Sequence, residues 1–382
     1  MNRQNPEAKQ FNILHVVSQL PVGGVENMLL KVISGYDRKR FRASVCCLRT
    51  GGEIADKLRR RGYEVVVLNK MKGHGFDIGA VADLYRLIKK KNIHILRTHQ
   101  YHANLYGRIA GILAGVPVMI PSFHNLYISP HRPKMHRRVF NCLLGLFTDV
   151  MVGVSEAVSS DIIRYDWIPR KKVRTIYNGI LLEDYQEKLS KIEARKRLGI
   201  SGSGVIVGTV GRLTDQKGHK FLIEAIAKIN DVRLVIAGDG PLRHNLERLA
   251  EKIKDRCLFL GTISPEKIPI FLKSLDIFCF PSLWEGLPVA LIEALAAGLP
   301  VVATDIPPIR EVLTGAGILV PIGDTDALAQ ALKQLLDDSA LMADLRSKAI
   351  KRAEIFSIEN TVKSYEELFI QGLKRKGLFH EI

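Results

Sequence analysis

Cysteine is scarce and poorly placed for pairing: the chain has five, an odd number, with Cys46 and Cys47 adjacent and no Cys-x-x-Cys. This excludes a disulfide framework and a paired-thiolate zinc site, and makes reduced thiols in a cytoplasmic protein the expectation. Long apolar runs are absent too. None reaches the roughly 18 residues of a membrane-crossing helix. The first one, "FNILHVV" (11–17), is too short for a secretory signal and leads into more fold instead of a cleavage site. Neither "SQLPVGGVEN" after it nor "AGDGP" (237–241) completes Gly-x-Gly-x-x-Gly. A nicotinamide-dependent oxidoreductase therefore has no fingerprint here. Asp-x-Asp occurs once, at Asp324-Thr325-Asp326, where the following "ALAQALKQLL" makes it a helix N-cap. No metal is expected.

What the chain does have is size and charge. At 382 residues it exceeds what one core usually supports, so two domains are expected. A composition of 47% apolar and 25% charged residues is that of a globular protein. Residues 1–182 hold 29 Lys and Arg against 12 Asp and Glu, a surplus of 17, while residues 183–382 hold 27 of each. This one-sided field suits an anionic partner: a lipid headgroup surface, a phosphorylated acceptor or nucleic acid. No zinc spacing or aromatic-interleaved basic stripe supports the nucleic-acid option. "KKK" (89–91) reads as a solvated face. In "RPKMHRRVFNCLLGLF" (132–147) basic residues lead into an apolar segment. This is either an interfacial amphipathic helix or a buried helix with a basic end.

Both halves alternate continuous apolar strands with amphipathic helices, the pattern of parallel sheets covered on both faces. In the first half the strands are "FNILHVVS" (11–18), "FRASVCCL" (41–48), "YEVVVLN" (63–69), "IHILRTH" (93–99), "PVMIPSFH" (117–124) and "DVMVGVS" (149–155). In the second they are "VIVGTV" (205–210), "VRLVIAG" (232–238), "CLFLG" (257–261), "DIFCFPS" (276–282), "PVVATD" (300–305) and "GILVP" (317–321). The fold class is thus α/β, two Rossmann-like doubly wound domains facing across a cleft. Domain boundaries are expected at 1–182 and 183–359, with the polar, Gly/Ser-ended stretch near 178–203 as connector.

"WEGLPVALIEALAAGLPVVATD" (284–305) sets Glu285 just before a helix start and Glu293 about two turns inside it. Pro288 suits a first helical turn, Gly286 permits close backbone approach, and the N–H groups around Leu287 to Val289 make an anion site. Glu293 is either a solvated helix position or a carboxylate accepting from paired sugar hydroxyls; its apolar neighbours favour the second, because a buried carboxylate needs a partner. In "GTVGRLTDQKGHK" (208–220), Arg212 offers a planar fork and Lys217 a point charge to a diphosphate at the strand ends, unless both are simply solvated.

"GRLTDQKG" together with "EGLPVALIEALAAGLPVVATD", preceded by "IYNGI" (176–180), resembles the C-terminal domain of retaining GT-B glycosyltransferases of family 4, also called glycosyl transferases group 1. "GGVEN" (23–27) and "SFHN" (122–125) resemble that family's acceptor-side motifs. The resemblance spans essentially the whole chain. It implies an N-terminal acceptor domain, a C-terminal nucleotide-sugar domain, and a terminal segment (360–382) crossing back to the first domain. It implies that Arg212 and Lys217 hold the donor's diphosphate, that Glu285 contacts the donor sugar with Gly286 and Leu287 near the phosphates, and that Glu293 binds ribose. Gly23 and Gly24 would approach the donor phosphates or the acceptor, His124 the reacting sugar, and Asn178 the domain junction. His99 and His102 are further cleft-edge candidates or packed and solvated histidines. Two positions depart from the family pattern: Leu181 and His94 stand where an Asp is common.

The implied activity is metal-independent, retaining hexosyl or N-acetylhexosaminyl transfer from a nucleoside-diphosphate sugar, UDP before GDP, to a lipid-linked or polysaccharide acceptor. It would serve cell-envelope glycan synthesis, peripheral to the inner face of the membrane. A nucleotide-sugar epimerase or phosphorylase on the same fold is the nearest alternative enzyme; a phosphorylase needs a cofactor lysine that the sequence does not identify.

Overall fold

The computed structural model describes residues 10–21, 23–71, 76–127, 133–186, 189–202 and 204–379, except the side chain of Val25. The chain divides into two compact units, Met1–Gly179 with Ile358–Ile382, and Ile180–Ser357.

In the first unit β1 (Phe11–Val17), β2 (Phe41–Cys47), β3 (Glu64–Val67), β4 (Ile95–His99), β5 (Val118–Phe123), β6 (Met151–Gly153) and β7 (Val173–Thr175) form a sheet of order β3-β2-β1-β4-β5-β6-β7. Every pairing in it is parallel. The central strands are buried because helices cover both faces, which is why they read as unbroken Val/Ile/Leu runs. The final helix, Ile358–Arg375, completes this unit. Phe369 packs edge-on to Tyr36 and Phe41, and Thr361 Oγ1 donates to the Tyr177 carbonyl at 2.9 Å. Gly372 leaves room that a Cβ would take from Val118.

In the second unit β8 (Val205–Val210), β9 (Val232–Ala237), β10 (Cys257–Gly261), β11 (Ile277–Phe280), β12 (Val301–Thr304) and β13 (Ile318–Val320) run parallel in the order β10-β9-β8-β11-β12-β13. Asp324 caps the helix Thr325–Asp337, accepting from the Ala327 amide at 2.9 Å, as its spacing indicates. In each sheet strand order reverses once, between β1 and β4 and between β8 and β11. Loops leave such a reversal in opposite directions, opening a crevice at the carboxyl ends of the strands.

Three local expectations need correction. The chain first crosses between the units at Gly179–Ile180, inside the expected connector near 178–203, but the described residues after that crossing are built into the second unit: Lys191 and Arg195 in the helix Lys191–Arg197 pair with Asp276, and Ala194 and Ile200 are buried. Polar composition there reflects one solvated side, not a flexible linker. Pro288 is the N-cap residue, and the helix begins at Val289. The Val289 amide turns back onto the Leu287 carbonyl at 3.0 Å, so it is not among the outward-pointing donors.

Candidate functional site

The β8/β11 reversal puts the loop after β8 against the loop after β11. Leu213 is fully buried and its amide donates to the Asp239 carbonyl at 2.9 Å, which pins the start of the first loop while Arg212 stays exposed. Gln216 then ties the two loops together: its Nε2 donates to the Trp284 carbonyl at 2.9 Å and its carbonyl accepts from the Leu283 amide at 2.8 Å. Gly218, at φ +60°, sits so close to the Pro281 carbonyl that a Cβ would collide with it. Only glycine allows both the left-handed turn and this approach.

The result is an ion pair at the strand ends. Lys217 Nζ lies 2.6 Å from Glu285 Oε1, with side-chain exposures of 20% and 7%, and also 5.1 Å from the Phe280 ring. Removing a carboxylate this far from water is unfavourable without such a partner. Lys217 also acts on His219, whose buried ring is pulled down to about 4, first by burial and then by the lysine's charge. Glu293, half-buried on the helix Val289–Ala296, accepts a 2.8 Å bond from Tyr185 Oη. Burial and this carboxylate push the phenol upward, so Tyr185 stays a donor. Among the described residues no three His, Cys, Asp or Glu side chains are grouped to hold a metal ion.

The sequence-predicted residues of this unit therefore gather at one sheet edge. Arg212 and Lys217 share the β8 loop; Glu285, Gly286 and Leu287 share the β11 loop; Glu293 follows on the next helix. The sequence reading missed Gln216, inside the quoted motif but given no role, and Tyr185, whose signal is a lone aromatic in the polar "LLEDYQ" stretch.

In the first unit, Gly23 is the N-cap of the helix Gly24–Gly35. Its carbonyl accepts from both the amide and the side chain of Asn27, and a Cβ there would strike the Glu26 carboxylate. At the β1/β4 reversal stands a row of buried histidines. His15 and His99 stack with ring centroids 5.4 Å apart and a nitrogen contact of 3.2 Å, and His124, just after β5, lies 5.9 Å from His99. Beneath them Arg97, fully buried, donates to Tyr36 Oη and Ser122 Oγ and stacks on Tyr365 at 3.5 Å. Burial and the Arg97 charge pull His124 down to about 4 and hold His15 and His99 well below the usual range, so all three are neutral near pH 7. Among the described residues neither ring nitrogen of His124 has a hydrogen-bond partner, nor does Asn178 Oδ1. His102 is exposed. His94 takes a structural role, accepting from the Asn12 amide at 3.1 Å.

Comparison with known proteins follows the same division. Residues 190–354 match the family "Glycosyl transferases group 1" and residues 22–184 match "Glycosyltransferase Family 4". An uncharacterized glycosyltransferase of Methanocaldococcus jannaschii is 30% identical, covering 85% of this chain and 94% of its own. The Escherichia coli UDP-Gal:alpha-D-GlcNAc-diphosphoundecaprenol alpha-1,3-galactosyltransferase is 27% identical over 96% of this chain and 98% of its own. Among solved structures, Anabaena HepE in complex with UDP and glucose superposes with a TM-score of 0.82 at 22% identity, over 94% of this chain and 99% of that one. WaaG, a glycosyltransferase involved in lipopolysaccharide biosynthesis, superposes at 0.73 with 16% identity, over 94% and 99%. With both halves matched and the relatives covered nearly end to end, the chain belongs to the family 4 glycosyltransferases and has their GT-B fold of two parallel-sheet units.

Proposed function

We propose that the protein transfers a hexosyl or N-acetylhexosaminyl group, with retention and without a metal, from a UDP-sugar to a lipid-linked or polysaccharide acceptor in cell-envelope glycan synthesis. The observation that carries this reading is the Lys217–Glu285 pair at the β8/β11 crevice, a cation and a carboxylate held side by side by two interlocked loops. Two comparisons support the choice of substrates: the Escherichia coli relative is named for a UDP-galactose donor and a diphosphoundecaprenol acceptor, and HepE was solved with UDP.

In this reading the second unit holds the donor. Lys217 and Arg212 neutralise the diphosphate, and Glu293, oriented by Tyr185, takes the ribose hydroxyls. Glu285 holds the donor sugar beside Gly286 and Leu287. The bond from the anomeric carbon to the phosphate oxygen breaks, with its electron pair leaving on UDP. The acceptor oxygen bonds to that carbon from the same face, and its proton passes to the departing phosphate. Fixed positive charge where the phosphate charge develops supplies the main stabilisation. The first unit takes the acceptor, with neutral His124 and the Gly23–Gly24 turn facing it. Its positive surplus draws the enzyme to the inner face of an anionic membrane, where lipid-linked acceptors lie.

Glu285→Gln tests the assignment. Turnover with UDP-sugar should fall by about a hundredfold or more, with UDP affinity by calorimetry changing only a few-fold. An unaltered rate removes Glu285 from the mechanism.

A further inference from the structure

The helix Met135–Leu146 is oriented against the usual rule. Its buried residues are Asn141 and Gly145, while Met135, Val139, Phe140, Leu143, Leu146 and the adjoining Phe147 are 42–69% exposed. At 100° per residue these six side chains cover one continuous arc of about 140°. The orientation is fixed from inside. Asn141 links the buried Arg108 to Asp166, which also accepts from Tyr127 Oη at 2.8 Å, and Gly145 packs so tightly that a Cβ would press on Ile168 and Met151. Rotating the apolar side inward would break this buried network. Of the stretch 132–147, Arg132 lies outside the described residues, and for 133–147 the buried-helix reading is thereby overturned.

Cations frame the exposed face. Lys134 and Arg137 are exposed at its start, and residues 133–148 contain no Asp or Glu. At its end Lys172 donates to the carbonyls of Gly145, Leu146 and Thr148 at 2.9, 3.1 and 3.1 Å, which brings the exposed Arg170 and Lys171 to the same corner. Trp167 is 49% exposed beside the helix, with Arg138 4.4 Å from its ring. An apolar stripe edged by cations and a tryptophan matches an anionic bilayer surface, where the stripe enters the acyl boundary and the cations meet headgroups. A second copy of the same face would set cation against cation.

We infer that the helix Met135–Leu146, with Phe147 and the Lys134 and Arg170–Lys171 corners, is the element that docks the enzyme on an anionic lipid bilayer. The inference rests on the proposed lipid-linked acceptor and assigns its membrane approach to one helix face. The test is flotation of the full chain with vesicles of phosphatidylglycerol and phosphatidylethanolamine, and with vesicles of phosphatidylcholine alone, at physiological salt. Binding is expected only to the anionic vesicles. Combining Leu143→Ser, Leu146→Ser and Phe147→Ser should weaken it at least about tenfold. Lys134→Glu with Lys171→Glu, a pair of exposed changes that leaves the packing intact, should weaken it by a similar factor. Absence of wild-type binding, or binding unaffected by both variants, overturns the inference. So does a dimer that the serine variant dissociates in sedimentation velocity while vesicles stay unbound. UDP titrated into the wild type and both variants separates the two readings: no UDP binding by the wild type defeats the transferase proposal whatever the vesicles do, and retained UDP binding in the variants shows that any loss on vesicles is local.

Discussion

The two units build the same crevice and fill it oppositely. At the β1/β4 reversal of the first unit stand three buried, neutral histidines over a buried arginine; at the β8/β11 reversal of the second stands a charged pair, Lys217 with Glu285. The charge balance runs the other way, since the whole surplus of 17 lies in residues 1–182. The first unit thus keeps its positive charge mostly outside and its crevice neutral, and the second is balanced overall but polarised at one point. A fold with a switch point guarantees a crevice; which charges line it decides the ligand. A neutral pocket accepts a sugar without competing for charge, whereas a fixed cation is what a departing diphosphate needs.

The sharpest way to break this comparison is to remove the cation. Lys217→Ala should lower turnover with UDP-sugar by about 10²–10³-fold in steady-state kinetics. A loss below about threefold would mean that Lys217 does not stabilise a departing diphosphate.

Acid tests the other crevice. Each buried histidine has its folded pKa depressed, so between that value and the unfolded value near 6.5 the unfolded chain binds more protons and stability falls as pH falls. For His124, with a folded value of about 4, the full loss is about 3 kcal/mol, reached below pH 4. The first unit holds three such rings, His15, His99 and His124, against His219 in the second. Hydrogen exchange at pH 7 and pH 5 should therefore show β4 and β5 losing more protection than β8 and β11. Equal losses would mean that the histidine row is not held neutral.

Much of this was legible in the sequence, for a physical reason. Strands buried on both faces must be continuously apolar, and those runs located β1 to β6 and β8 to β13. β7 escaped because it is three residues long, with only Val173 fully inside. The residue types of the β8/β11 crevice were legible as well, but their pairing was not: Lys217 and Glu285 are 68 residues apart, and only the folded loops, tied by Gln216, bring them into contact. The helix Met135–Leu146 shows the limit most clearly. Its pattern reveals two faces, yet periodicity alone does not say which faces inward, and here a buried hydrogen-bond network draws the polar one in.

The central claim is that the β8/β11 crevice grips the donor's diphosphate. Hydrogen exchange of the full chain with and without saturating UDP tests it most directly. The account predicts that protection rises most in residues 211–218 and 283–293. Protection confined to other segments, with these two unchanged, would contradict it.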